Sequence, residues 1–419
     1  RPDLAGPISQ LFEHHEVDLS WLDQVAAGVG DPIDTPMTWQ WTASTGSGKS
    51  IADASQRSSR PDNSRSSVEL DPPLPLVPAN PFTPGRRVSD ESMFIGRAME
   101  LERLLSYVAD GKHVAIISGR GVGGSSLLFM ASRQEHAPGR RLAAYIDLRD
   151  PACHALPGLL NSVWSQWWAQ VKPDNPAPVK SLSEFLTAVG KLNSAGFKPV
   201  MFLDELEQLA WRPEVFNDEF FNAWLELGRV GNVNIVTTAH ATPADLLAQG
   251  GLASRFHGLF QHLELGLMDQ VDARSLLEVP MQRAGMAIPD GAVEYLLARA
   301  GPHPFFLQIV GFYFYDFLAQ EKFSRGEVAR CFETAALPYW QEMWDSLSPL
   351  AQSHFPGTRV SAARGVPARQ LQILANKGLV IADRGGYRPF SDGFANWVER
   401  QQAASAAAST AVSGPEITF

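Results

Sequence analysis

The sequence predicts an α/β fold, a five-stranded parallel sheet covered by helices on both faces, followed by a helical stretch. Three observations carry this. Apolar runs of strand length alternate with helical patterns from about residue 91 to 266. A glycine-rich turn, GRGVGGSS (119–126), falls between one such run and the start of a helix. Another run, PVMFLDE (199–205), ends on two adjacent carboxylates.

Taken in order, the strands are HVAIIS (113–118), RLAAYIDL (141–148), PVMFLDE (199–205), NVNIVTTA (232–239) and FQHLELG (260–266). Helical patterns separate them at 126–134, 156–171, 181–196 and 217–231. Strands that alternate with helices cannot pair as hairpins, so they form a parallel sheet. Five segments are expected: a mostly unstructured arm or linker over 1–90, the α/β core over 91–266, a helical lid over 267–336, a winged helix over 337–400 and a frayed tail over 401–419. The winged helix is expected from helices near 338–355 and 366–377, then a hairpin LVIADRGGYRPF (379–390) turning at Gly385-Gly386. The arm earns its label at 42–85, which is dense in Ser, Pro, Asp and Arg and has no apolar period. A short amphipathic stretch at 7–30 precedes it.

Composition narrows the function. Acidic residues outnumber basic ones, 45 to 35, for a net charge of −10, which argues against a whole-chain nucleic-acid binder. The two cysteines, Cys153 and Cys331, lie far apart and make neither a disulfide framework nor a metal spacing, which fits a reducing cytoplasm. Cys153 beside His154 lacks a third orienting group and reads as packing. The most apolar stretch, 303–318, is interrupted by Gln308 and Asp316 and reads as a buried helix rather than a membrane span.

Two segments compete for the role of phosphate loop. ASTGSGKS (43–50) matches as a string, but MTWQWT before it is isolated and the polar segment after it is broken by Pro61. The chemistry requires a buried strand before the loop and a helix start after it, so that backbone N–H groups converge on phosphate. GRGVGGSS has both neighbours. Gly119, Arg120, Gly121, Val122, Gly123, Gly124, Ser125, Ser126 and Leu127 are therefore the expected phosphate cradle. Ser126 stands where a hydroxyl would ligate Mg²⁺. Ser125 stands where a lysine would reach the β and γ phosphates. A unit charge at ~4 Å in an effective dielectric of ~20 is worth up to about 4 kcal/mol. Its loss is expected to weaken triphosphate binding by about two to three decades, and Arg120 is the nearest substitute. Asp204 ends a strand at the sheet edge where ligands bind, so it is expected to hold Mg²⁺ and Glu205 to polarise a water. Thr238, or Thr237, is a γ-phosphate sensor candidate. Arg255 reads either as an arginine finger or as an ordinary surface arginine.

The order FIGRAMELERLL (94–105), GRGVGGSSLL (119–128), VMFLDELEQL (200–209), NIVTTAH (234–240), LASRF (252–256) and AGPHPFFLQ (300–308) resembles the archaeal-type and bacterial STAND/AAA-like ATPases over roughly 91–400. The resemblance implies a five-stranded ASCE P-loop core and ADP or ATP as cofactor, with an ADP-bound resting state. It also implies that Phe94, Ile95 and Arg97 lie near the adenine and that His303 and Pro304 belong to a lid helix closing over the base. Ser125 departs from that pattern and puts hydrolysis in doubt. The leading expectation is a nucleotide-dependent regulatory switch in prokaryotic signalling or defence. It would act on a protein partner or an effector in trans, through the arm or the winged helix, and a nucleotide-linked homo-oligomer is compatible with it. The competing readings are a pseudo-ATPase scaffold and a DNA-binding initiator or loader, the latter less favoured because the chain is acidic.

Overall fold

The computed structural model describes residues 79–134, 140–172, 176–353, 355, 368–383 and 386–412. The amphipathic stretch at 7–30 and the string at 43–50 lie outside the described residues. Within them, α1 (Ala98–Ala109) leads into β1 (His113–Ser118), α2 (Gly124–Arg133), β2 (Arg141–Asp147), α3 (Leu156–Ala169), α4 (Leu182–Ser194) and β3 (Lys198–Asp204). After a single helical turn at Glu207–Ala210 come α5 (Asp218–Arg229), β4 (Asn234–Ala239), α6 (Pro243–Gln249) and β5 (Phe260–Leu265). The strand order is β2-β3-β4-β1-β5, and every pairing in this sheet is parallel. The expected five-stranded core is therefore present, with β4 inserted between the glycine-turn strand and the acid-bearing strand.

The central strands β1, β3 and β4 are covered on both faces, as a parallel sheet requires, while the edge strand β5 leaves Gln261, His262 and Glu264 exposed. Along β3, Val200 and Phe202 point into a cluster with Leu104, Val108, Leu127 and Leu128 of α1 and α2. Met201 and Leu203 point the other way, into a larger cluster with Trp164, Trp167, Phe185, Phe221 and Trp224 of α3, α4 and α5. This period-two alternation sends the side chains of β3 from Val200 to Leu203 into one or the other core. Side-chain caps fix the helix starts: Ser181 accepts from Glu184 N–H, Asn217 from Phe220 N–H and Thr242 from Asp245 N–H.

The second half comprises α7 (Gln270–Arg283), α8 (Ala292–Ala300), α9 (Pro304–Ala319) and α10 (Arg325–Asp345), then a short helix at Pro349–Ser353. It closes with α11 (Ala368–Asn376), the antiparallel hairpin β6 (Val380–Asp383) and β7 (Gly386–Pro389), and α12 (Asp392–Val412). One apolar cluster runs from Met268 to Val398 through Phe306, Phe332, Trp340 and Phe394. The boundary expected at 336/337 falls inside α10, because Pro338 lies within that helix rather than at its start.

Two further expectations differ. The arm was expected to stay unstructured to residue 90, yet Phe82 is 2% exposed and packed on Gly311 of α9. The buried ring, with Asn80 and Thr83 hydrogen-bonded to α9 on either side of it, fixes this stretch. The tail was expected to fray from 401, yet α12 continues to Val412. Its alanines carry high helix propensity although they show no amphipathic pattern. Among the described residues, no helix is long and apolar enough to cross a membrane.

Candidate functional site

The glycine turn leaves β1 and bends sharply. Gly121 (φ 73°) and Gly123 (φ 109°) occupy left-handed backbone that a side chain would strain. α2 then begins at Gly124 with no side-chain cap. No carbonyl of the described residues accepts from the N–H groups of Gly124, Ser125 or Ser126; the first bond of the helix is Leu127 N–H to Gly123 O. Those free donors, at the positive end of a helix dipole, form an anion cradle. A Cβ on Gly124 would come within 2.7 Å of Ser118 Oγ and 3.6 Å of the Thr238 methyl, so the cradle rests directly on β1 and β4.

The acids border the same pocket through Thr238. Asp204 is fully buried; it accepts the Thr238 hydroxyl at 2.6 Å and the Tyr145 phenol at 2.7 Å. Burial, reinforced by the charge of Asp204, pushes the Tyr145 phenol up, so it remains a proton donor. The Thr238 hydroxyl also accepts from Glu205 N–H at 2.8 Å. This bond holds Glu205 at φ 65°, an unusual conformation for a residue with a side chain. The Glu205 carboxylate lies 3.4 Å from an Arg149 nitrogen, and Arg149 also pairs with Asp147. Two residues on, the Glu207 carboxylate is buried with only His240 Nε2 beside it, at 3.3 Å, and burial raises its pKa against the pull of His240.

The second half covers the turn. A Cβ on Gly121 would meet Phe305 Cβ at 2.8 Å and His303 Cε1 at 3.2 Å, and one on Gly119 would meet the Lys377 carbonyl at 2.4 Å. His303 precedes α9, with Pro304 as that helix's first residue, and its ring packs at a tilt against Phe306 and Phe390. Both its ring nitrogens are buried without a partner. Arg97 is buried, with Nη2 on the carbonyls of Val122 (3.3 Å) and Gly266 (2.5 Å) and Nη1 on Glu100. Phe94 packs on the sheet core and Ile95 on the lid core, so this segment bridges the two. Arg120, the expected stand-in for lysine, is exposed and pairs with Glu342 of α10. Arg255 is not brought into the group: it precedes β5, at the opposite end of the sheet, and lines a shallow cavity of about 290 Å³ with Asp218, Asn222 and Arg229. Cys153 is buried and burial raises its thiol pKa, consistent with packing.

Tyr145, Arg149 and Lys377 were not legible as site residues. The register of β2 against β3 sets Asp147 opposite Asp204, which brings Tyr145 and Arg149 to the acids; only the pairing reveals this.

Burial drives the His303 pKa down to about 3, and the nearby charge of Arg97 adds to the effect. In the unfolded chain a histidine protonates near 6.5. Between these values the unfolded state binds the extra proton, so the stability is intact above pH ~6.5 and declines below it by up to about 1.4 kcal/mol per pH unit. Urea unfolding at pH ~7 and ~5 should show this decline, and His303→Gln should reduce it, leaving the share of His113, whose pKa burial also lowers.

Ser126 and Asp204 are the residues that would hold Mg²⁺. Among the described residues, no three His, Cys, Asp or Glu side chains form a metal cage, so phosphate oxygens would have to complete its shell. The orphan N–H groups of the turn and the unpartnered ring of His303 fit an anionic, hydrogen-bonding ligand such as a nucleotide.

Sheet order, glycine turn and strand-end acids together define a P-loop NTPase of the STAND/AAA-like type. The family described as Novel STAND NTPase 1 matches residues 84–328, more than half of the sequence, and the chain belongs to that family. No curated protein is a significant match. Among solved structures, the Walker-type ATPase PABY2304 of Pyrococcus abyssi aligns over 75% of this chain and 98% of its own, with 14% identity and a TM-score of 0.55. The ADP form of the Aeropyrum pernix ORC2 protein aligns over 78% and 97%, with 14% identity and a TM-score of 0.48. At 14% identity the likeness to the Pyrococcus abyssi ATPase concerns the fold alone.

Proposed function

We propose that this protein is a nucleotide-dependent regulatory switch that binds ADP or ATP, hydrolyses weakly or not at all, and signals to a protein partner in a prokaryotic signalling or defence system. The observation that supports it most is the packing of the glycine turn. Gly119 touches the backbone at the end of α11 and Gly121 touches the start of α9, so a ligand in the turn and the position of the second half cannot vary independently. A ligand that favours one arrangement shifts the population toward it.

Weak hydrolysis follows from three features. Ser125 offers no charge to the γ phosphate, Arg120 turns away to Glu342, and Glu205 is engaged by Arg149. Asp204 and Ser126 remain as metal groups, and Mg²⁺ when bound would neutralise phosphate charge. The α11–hairpin–α12 unit is our candidate winged helix, acting as the moving part.

Titration calorimetry with ADP and with ATP tests this reading. Binding by both, with turnover near background, is the expected result. Absence of heat at about 1 mM nucleotide, a floor of about −4 kcal/mol, would overturn it in favour of a scaffold that keeps the fold only for protein contact.

A further inference from the structure

The segment just ahead of the core makes contacts that a linker does not need. Asn80 donates to Phe312 O (3.0 Å) and to Asp316 (2.8 Å), and Thr83 N–H donates to Gln308 Oε1 (2.9 Å), all on α9. Phe82, between them, is buried on Gly311, where any side chain would collide with its ring at 2.4 Å. Five residues later the chain has crossed to the core. Val88 N–H donates to Ser126 Oγ at 3.1 Å. Arg87 lays its guanidinium over Phe129 (4.4 Å) and Tyr145 (4.6 Å), and one of its nitrogens lies 3.4 Å from the Tyr145 oxygen. Tyr145 in turn donates to Asp204.

We infer that residues 79–93 form a resident strap on the metal edge of the P-loop, and that strap and Mg²⁺-loaded nucleotide exclude one another. The inference rests on the nucleotide-binding reading above. An amide N–H and a divalent cation are both electrophiles, and both approach a hydroxyl through its oxygen lone pairs. At Ser126 the Val88 amide already takes one of the oxygen's two lone pairs, so a cation would meet a partial positive charge beside it. At Asp204 both carboxylate oxygens already accept hydroxyl protons, from Thr238 and Tyr145, and Tyr145 is held in its pose beneath Arg87. Both groups expected to hold the metal thus already carry donors from within the chain, Ser126 directly from the strap and Asp204 from the tyrosine that the strap covers, and a cation must compete with them. A metal-free diphosphate needs neither group and can use the N–H cradle alone. Because the other end of the strap is anchored in the lid helix, metal entry would release α9 from the same segment. The strap therefore links the identity of the ligand to the position of the lid.

The test compares wild type, Val88→Pro, Arg87→Ala and Val88→Ala. Proline removes the N–H donor, whereas alanine keeps it and serves as the control. ADP and ATP affinities are measured by calorimetry with Mg²⁺ and with EDTA, and hydrogen exchange of residues 80–93 is followed in parallel. Wild type and Val88→Ala should bind about equally in both buffers. Val88→Pro and Arg87→Ala should gain about tenfold with Mg²⁺, the equivalent of about 1.4 kcal/mol, and stay unchanged in EDTA. Exchange in the strap of the wild-type protein should rise with Mg·ATP and not with metal-free ADP. An identical Mg²⁺ response in all four proteins, or strap exchange indifferent to Mg·ATP, would overturn the strap while leaving nucleotide binding intact. Failure of every variant to bind nucleotide in either buffer would overturn the functional reading and the strap with it.

Discussion

Replacing Ser125 with lysine should tighten ATP binding by about two to three decades. Ser125 lies in the first turn of α2, beside N–H groups that already point into the cradle. What the native chain lacks there is a mobile full charge. At ~4 Å and an effective dielectric of ~20, that charge is worth up to about 4 kcal/mol, of which desolvation of the ammonium removes a part. The effect should be largest for ATP and smaller for ADP, which has no γ phosphate. Competition with a fluorescent ATP analogue reads the change directly. A variant that binds where wild type does not would identify the native protein as a scaffold built on a silenced site. Unchanged affinity in a folded variant would mean that the turn does not face phosphate at all.

Trp340→Ala should lower the unfolding free energy by roughly 3–5 kcal/mol, the range for deleting a fully buried large aromatic. Trp340 is fully buried on α10 and meets Phe306 of α9, Phe332 of its own helix, and Phe394 and Trp397 of α12, at centroid distances of 5.8 to 6.4 Å. No other ring in that cluster touches three helices in this way among the contacts described. The loss should therefore appear first as separation of α12 and the hairpin from the lid. Denaturant unfolding followed by tryptophan fluorescence, alongside far-ultraviolet circular dichroism, distinguishes that local event from global loss. A change below about 1 kcal/mol would show that α12 is not held through this residue.

The core was readable because its physics is local. Each strand is a short apolar run bounded by polar or turn residues, and HVAIIS matches β1 residue for residue. Asp204 and the glycine turn were readable because topology places the ends of all parallel strands at one edge. The remainder depends on partners distant in sequence. Nothing around Phe82 announces a groove on α9 more than two hundred residues later, and nothing in RLAAYIDLRD marks Tyr145 as the partner of Asp204 until β2 pairs with β3. The boundary expected at 336/337 has no counterpart, since α10 runs through it with Pro338 inside the helix. The extension of α12 shows alanine propensity prevailing where the periodicity was silent.

At Gly119 the meeting of the two halves is main chain against main chain, with the Lys377 carbonyl occupying the volume of the missing methyl. Tolerance to substitution is consequently lopsided at that seam. Position 377 supplies only a peptide oxygen there, which all twenty amino acids possess, so its identity is free to drift as far as this contact is concerned. Its counterpart has no such latitude, since the smallest possible addition wedges the seam open. A survey of viable variants should accordingly find diversity on the α11 side facing near-invariance across from it.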